Sequence, residues 1–135
     1  MRIFLDTNVL ASSLATRGLC NELLEGVIDE HVLLTCGPVL EELQRILTDK
    51  FRLPLPVIAG FLGMLETEAR IVQAGKALKL KFSDPDDIPI LACAISGQAD
   101  FFVTGDKALL ALGRVEDMPI VSPRQLWQTL AGLDG

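Results

Sequence analysis

The chain has 135 residues, 50% of them hydrophobic, with 12 Lys and Arg against 18 Asp and Glu and a formal charge of −6. That length supports one domain with a sizeable buried core, and the acidic balance excludes a protein that grips nucleic acid by bulk electrostatics alone. Apolar runs of about eight to ten residues fall well short of the roughly twenty needed to span a bilayer, and too few residues precede Asp6 for a secretory hydrophobic region, so a cytoplasmic protein is expected.

Arg2 to Leu5 reads as a short buried strand, and Asp6-Thr7-Asn8 as the polar turn into a helix carrying Val9, Leu10 and Leu14 at helical spacing. A second helix, about Leu19 to Asp29, has Leu23, Leu24, Val27 and Ile28 on one face, and Val32 to Thr35 is the second strand. Pro38 stands at the start of a third helix running to about Lys50, where its missing N–H costs little. Pro54 and Pro56 mark a loop and a fourth helix through Glu68, with a short strand at Ile71 to Val72. The next helix starts near Asp86, because Pro89 is tolerated only in a first turn, and continues through Ile95. Phe101 to Val103 is a strand, Ala108 to Leu112 a short helix, and Ile120 to Val121 a strand. Ser122-Pro123-Arg124-Gln125 then forms a capping box opening a last helix with Leu126, Trp127 and Leu130. This alternation predicts a mainly parallel sheet with helices on both faces.

Four acids fall where such a fold gathers them. Asp6 and Asp106 each follow a strand, the position at which ligands collect in open parallel sheets. Two carboxylates at neighbouring strand ends repel unless a cation or a shared proton offsets them. In the third helix Val39, Leu40, Leu43, Ile46 and Leu47 make the apolar arc, and Glu42 lies about 40° beyond its edge at about 100° per residue, whereas Glu41 points to solvent. Asp87, in Ser-Asp-Pro-Asp-Asp, sits four and seven residues before Leu91 and Ala94, along the buried stripe. Asp86 reads as a cap or a support to its neighbour. Each acid also has a plainer role: Asp6 and Asp106 as helix caps or turn residues, Glu42 as an amphipathic boundary residue, Asp87 as a favourable charge at a helix start. Taken together they point to a carboxylate metal site.

Other chemistries lack their residues. His31 is the only histidine and lies outside the acidic segments, so a two-histidine ribonuclease mechanism is excluded, and Ser12, Ser13 and Ser96 have no histidine partner for a serine hydrolase. Neither phosphate-binding glycine pattern is present. Cys20, Cys36 and Cys93 are odd in number and widely spaced, which suggests buried thiols rather than a disulfide framework or zinc knuckle. Lys76, Lys79 and Lys81 form a basic stretch that is either a solvated face or a weak RNA-steering patch.

In order along the chain, Ile-Phe-Leu-Asp6-Thr-Asn8-Val, Val-Leu-Glu-Glu42-Leu, Asp-Pro-Asp-Asp87-Ile-Pro-Ile-Leu-Ala-Cys-Ala and Ala-Asp-Phe-Phe-Val-Thr104-Gly-Asp106 resemble the PIN-domain ribonucleases, a family that includes the toxins of many prokaryotic toxin–antitoxin pairs. The resemblance covers nearly the whole chain. It implies a single α/β domain over residues 1–135, a three-layer α/β/α sandwich around a mainly parallel sheet. It further implies a site for one or two Mg²⁺ or Mn²⁺ ions made by Asp6, Glu42, Asp87 and Asp106, supporting roles for Asn8 and Thr104, and metal-dependent RNA cleavage. A homodimer and a small inhibiting antitoxin are implied partners. Pro89 departs from the simplest form of the third segment. Two rival classes remain: a phosphoacceptor or phosphatase domain using Asp6, and a non-catalytic module in which the acids only cap helices.

Overall fold

The computed structural model describes residues 1–75 and 84–132. Its elements, in chain order, are β1 (Arg2–Leu5), α1 (Thr7–Ala15), α2 (Leu19–Glu30), β2 (Val32–Thr35), α3 (Gly37–Arg45), α4 (Leu55–Glu68), β3 (Arg70–Ile71), α5 (Asp87–Ser96), β4 (Phe101–Val103), α6 (Lys107–Leu112), β5 (Arg114–Val115), β6 (Met118–Val121) and α7 (Pro123–Leu130). The strands lie in the order β3-β2-β1-β4-β6-β5, with every pairing parallel except β5 with β6. Flanking helices complete an α/β fold of the expected class.

The central strands read as unbroken apolar runs because both faces of a parallel sheet are covered. Ile3, Phe4 and Leu5 in β1, Leu33 and Leu34 in β2, and Phe102 and Val103 in β4 are all buried. Phe4 and Phe102 are register partners in β1 and β4, and their rings stack with centroids 5.4 Å apart. That contact fixes the two central strands against each other and so fixes the relative positions of whatever follows them.

The chain leaves β1 toward β2 and β3 on one side of the sheet, and leaves β4 toward β6 and β5 on the other. The line between β1 and β4 is therefore the switch point, and in open α/β sheets it is outside the carboxyl ends of the strands at such a point that a binding crevice forms. Asp6 N–H donates to the Val103 carbonyl at 2.9 Å, so the pairing of the two strands continues right up to the first acid.

Three local features differ from expectation. The third helix does not run as uniform α-helix to Lys50: from Ile46 to Lys50 it widens into a π turn, closed by the Phe51 N–H on the Ile46 carbonyl at 3.1 Å. This turn keeps Leu47 buried while the chain prepares to leave for Leu53. β5 and the hairpin to β6 were not expected, and the strand expected at Ile71 to Val72 begins one residue earlier. The last helix follows expectation: Gln125 N–H donates to Ser122 Oγ and Ser122 N–H to Gln125 Oε1, the reciprocal pair of a capping box. Among the described residues no helix is long and apolar enough to cross a membrane.

Candidate active site

Asp6 stands immediately beyond β1, is 5% exposed, and caps α1 by accepting the Thr7 N–H on Oδ1 at 2.9 Å. Its other oxygen, Oδ2, accepts the Thr104 hydroxyl at 2.8 Å and a long contact from Asn8 Nδ2 at 3.4 Å. Thr104, fully buried just past β4, in turn accepts the Asp106 N–H on Oγ1 at 3.1 Å. Asn8 ties the two loops together: Nδ2 also reaches Thr104 Oγ1 at 3.4 Å, and Oδ1 accepts the Gly105 N–H at 3.2 Å. Asp106 caps α6, its Oδ1 accepting the Ala108 and Leu109 N–H groups at 2.8 and 3.1 Å. So the turns after β1 and β4 form one hydrogen-bonded unit. The caps considered for Asp6 and Asp106 are real, and capping leaves lone pairs on both carboxylates.

Glu42 is half-buried on α3 and Glu41 exposed, as the helical arc predicts. Asp87 is half-buried at the first position of α5, and Pro89 falls within that helix's first turn. Asp86 occupies the cap position, yet its side chain makes no cap hydrogen bond; the local turn is held instead by Asp84 Oδ1, which accepts the Asp86 N–H at 3.0 Å. Lys76, Lys79 and Lys81 lie outside the described residues. His31 is remote from the acids and pairs its Nδ1 with the terminal amine of Met1 at 3.2 Å.

The electrostatics join the four acids. Burial pushes the Asp6 carboxyl up from 3.8 to about 6 against the lowering effect of its Thr104 and Thr7 hydrogen bonds, with Glu42 and Asp106 adding repulsion. Asp87 is pushed up to about 7, first by burial, then by the charges of Asp6, Asp84, Asp106 and Glu42. Two carboxylates are thus held in surroundings that disfavour their ionised forms, and a bound cation relieves that cost. Among the described residues no three His, Cys, Asp or Glu side chains stand as a ready ligand cage. The donor set suits Mg²⁺, a hard cation that keeps several waters and takes only one or two carboxylates directly.

Behind the acids, Cys36 and Cys93 are buried as expected, and burial pushes the Cys36 thiol up to about 12. Cys20 departs from expectation, being only half-buried at the start of α2. Thr35, at the end of β2, and Thr7 are buried with hydroxyl oxygens that find no partner among the described residues.

A mainly parallel sheet with acids brought to its single switch point defines an α/β domain with an acidic crevice. A family model described as PIN domain matches residues 2–108, and the chain belongs to the PIN domain family. Among solved structures it resembles a chain of VapBC2 from Rickettsia felis, bound to a DNA fragment from their promoter, at 16% identity and a TM-score of 0.65, covering 90% of this chain and 98% of that one. It also resembles VapC20 of Mycobacterium tuberculosis, described as a toxin that cleaves the sarcin–ricin loop, at 18% identity and a TM-score of 0.60, covering 84% and 97% respectively. No curated protein matches the sequence.

Proposed function

We propose that this chain is a divalent-metal-dependent endoribonuclease, acting as the toxin of a toxin–antitoxin pair, with Asp6, Glu42, Asp87 and Asp106 as its acidic centre. The observation that carries the reading is the mutual repulsion of those four acids beside a hydrogen-bonded clamp of Asn8, Thr104 and Asp106. Family membership and the likeness in fold to two VapC-type structures support it.

Asp6 and Asp106, on the rigid turns after β1 and β4, would hold Mg²⁺ or Mn²⁺, with Glu42 and Asp87 completing the charge. When bound, such a cation supplies Lewis-acid polarisation of the phosphate and makes water a stronger acid. The chain's own residues do the positioning. Thr104 directs its hydroxyl proton at Asp6 Oδ2 and so leaves that carboxylate ionised and aimed; Asn8 holds the Gly105 turn against it. Asp87, whose carboxyl is pushed up to about 7 by burial and by the neighbouring acids, would be ionised by the cation's charge and would orient a water beside it.

One experiment tests the reading. Purified protein is incubated with a panel of structured RNAs, including a sarcin–ricin loop hairpin, in Mn²⁺ or EDTA, alongside Asp106→Asn, which preserves the α6 cap. Discrete cleavage by the wild type in Mn²⁺, lost in EDTA and in the variant, is expected. Cleavage that persists in Asp106→Asn, or a wild type that cuts none of the panel in Mn²⁺, refutes the assignment. An antitoxin and a homodimer are expected partners by the same reasoning, and co-purification from the native host with light scattering checks both.

A further inference from the structure

A pocket of about 240 Å³ adjoins the acidic crevice on its α1 and α7 side. It shares Asn8, Gly105 and Asp106 with the crevice, so whatever enters it is continuous with a group held at the carboxylates. Its remaining walls are of a different character. Val9, Pro123 and Cys20 present apolar or weakly polar surfaces from three separate elements, and Ser12 adds a hydroxyl one turn beyond Asn8. Among the described residues, Asp106 is the only charged one in the lining.

That combination rejects a second phosphate, which needs donors and positive charge. It suits a neutral ring with a hydrogen-bonding edge: Val9 and Pro123 offer apolar surface, and the Ser12 hydroxyl offers both a donor and an acceptor. The volume lies below the range of about 300 to 1,000 Å³ typical of drug-sized ligands, which fits one ring system rather than a whole nucleotide. We propose that this pocket is the subsite for a single nucleobase of the RNA, splayed out of its stack and adjacent to the phosphate being cut. The inference rests on the ribonuclease reading above and adds to it a recognition element, so that cleavage depends on an unpaired base at one fixed position.

Cys20 makes the pocket measurable. It is half-buried and lines the pocket, whereas Cys36 and Cys93 are buried elsewhere, so a thiol reagent reaches Cys20 first. Burial pushes its thiol up, so labelling is run at mildly alkaline pH. Wild-type protein in Mg²⁺ is treated with N-ethylmaleimide in the presence of random phosphorothioate-linked RNA hexamers, whose binding is followed in the same sample by fluorescence anisotropy. Cys20→Ser identifies which signal is Cys20. Occupied protein should resist labelling, with a fall in rate of about tenfold at roughly 90% occupancy. Protein pre-labelled at Cys20 with maleimide should lose RNA cleavage far more than protein carrying only a small S-methyl group there. Hexamers that bind without slowing the Cys20 reaction overturn the subsite and leave the ribonuclease standing, provided native RNA is cut. Protein that neither binds the hexamers nor cuts RNA overturns both.

Discussion

Replacing Asp6 by asparagine removes a charge that the fold holds at an energetic cost, so the metal-free protein should become more stable, not less. The Asp6 carboxyl stands at about 6 in the folded chain against 3.8 when unperturbed. The folded state therefore binds a proton more tightly than the unfolded state, and the stability this group permits is fully present below pH 3.8 and lost as pH rises through about 6. A rise of roughly two units corresponds to about 3 kcal/mol once both states are ionised. Asparagine keeps the N-cap acceptor for Thr7, while the mismatch with the Thr104 hydroxyl offsets about 1 kcal/mol. A net gain of about 2 kcal/mol is expected from urea unfolding in EDTA at about pH 8, shrinking to nothing or reversing near pH 4. Saturating Mn²⁺ should stabilise the wild type and leave the variant largely unmoved. If Asp6→Asn in EDTA at the higher pH is no more stable than wild type, Asp6 is a comfortable structural cap and the strained-site argument fails.

Three further outcomes follow from the same geometry. If the proposed site holds its cation through Asp6 and Asp87, both must ionise, so Mn²⁺ affinity by calorimetry should climb as pH rises through about 6 and about 7; an affinity flat between acid and neutral pH contradicts their participation. Thr104→Val removes both the donor to Asp6 and the acceptor for the Asp106 N–H, and should lower RNA cleavage by about 10- to 100-fold with the fold intact by circular dichroism. Thr35→Val replaces a buried hydroxyl that has no partner among the described residues with a methyl of the same shape, and should raise the denaturant midpoint, corresponding to about 1 kcal/mol; a lower midpoint would show that the hydroxyl is in use.

Most of the sheet was legible because strands covered on both faces must be apolar throughout. Ile3 to Leu5, Leu33 to Leu34 and Phe101 to Val103 could hardly be anything else. Capping chemistry was equally readable: Ser122 and Gln125 form the reciprocal pair their spacing demands. Glu42 lies at the edge of the apolar arc and is half-buried, as helical geometry requires. What escaped was structure set by distant parts of the chain. β5 is two residues long, and the turn at Glu116-Asp117 lacks the glycine or asparagine that usually announces a hairpin, although Glu116 adopts a φ of 51°. The π turn after Arg45 answers to the packing of Leu47 and Leu53 rather than to local propensity. The clamp among Asn8, Thr104 and Gly105 depends on β4 lying beside β1, and nothing near Asn8 in the sequence declares that neighbour. Cys20 has the same residue type as the two core thiols, and only the tertiary structure shows that it is half-buried and lines a pocket with Pro123 of α7.

The hydrogen bond from Thr104 to Asp6 joins residues 98 positions apart, and the strand that brings them together slots into the middle of the sheet rather than onto its rim. A ribosome making this chain releases β1 first, with one hydrogen-bonding edge waiting until Phe101 to Val103 has emerged. An unfinished or truncated copy thus holds Asp6 and Glu42 without the turn that disciplines them. The acidic cluster is therefore completed at one moment, when the late strand seats, and on the proposed reading no shorter fragment of the chain would cut RNA.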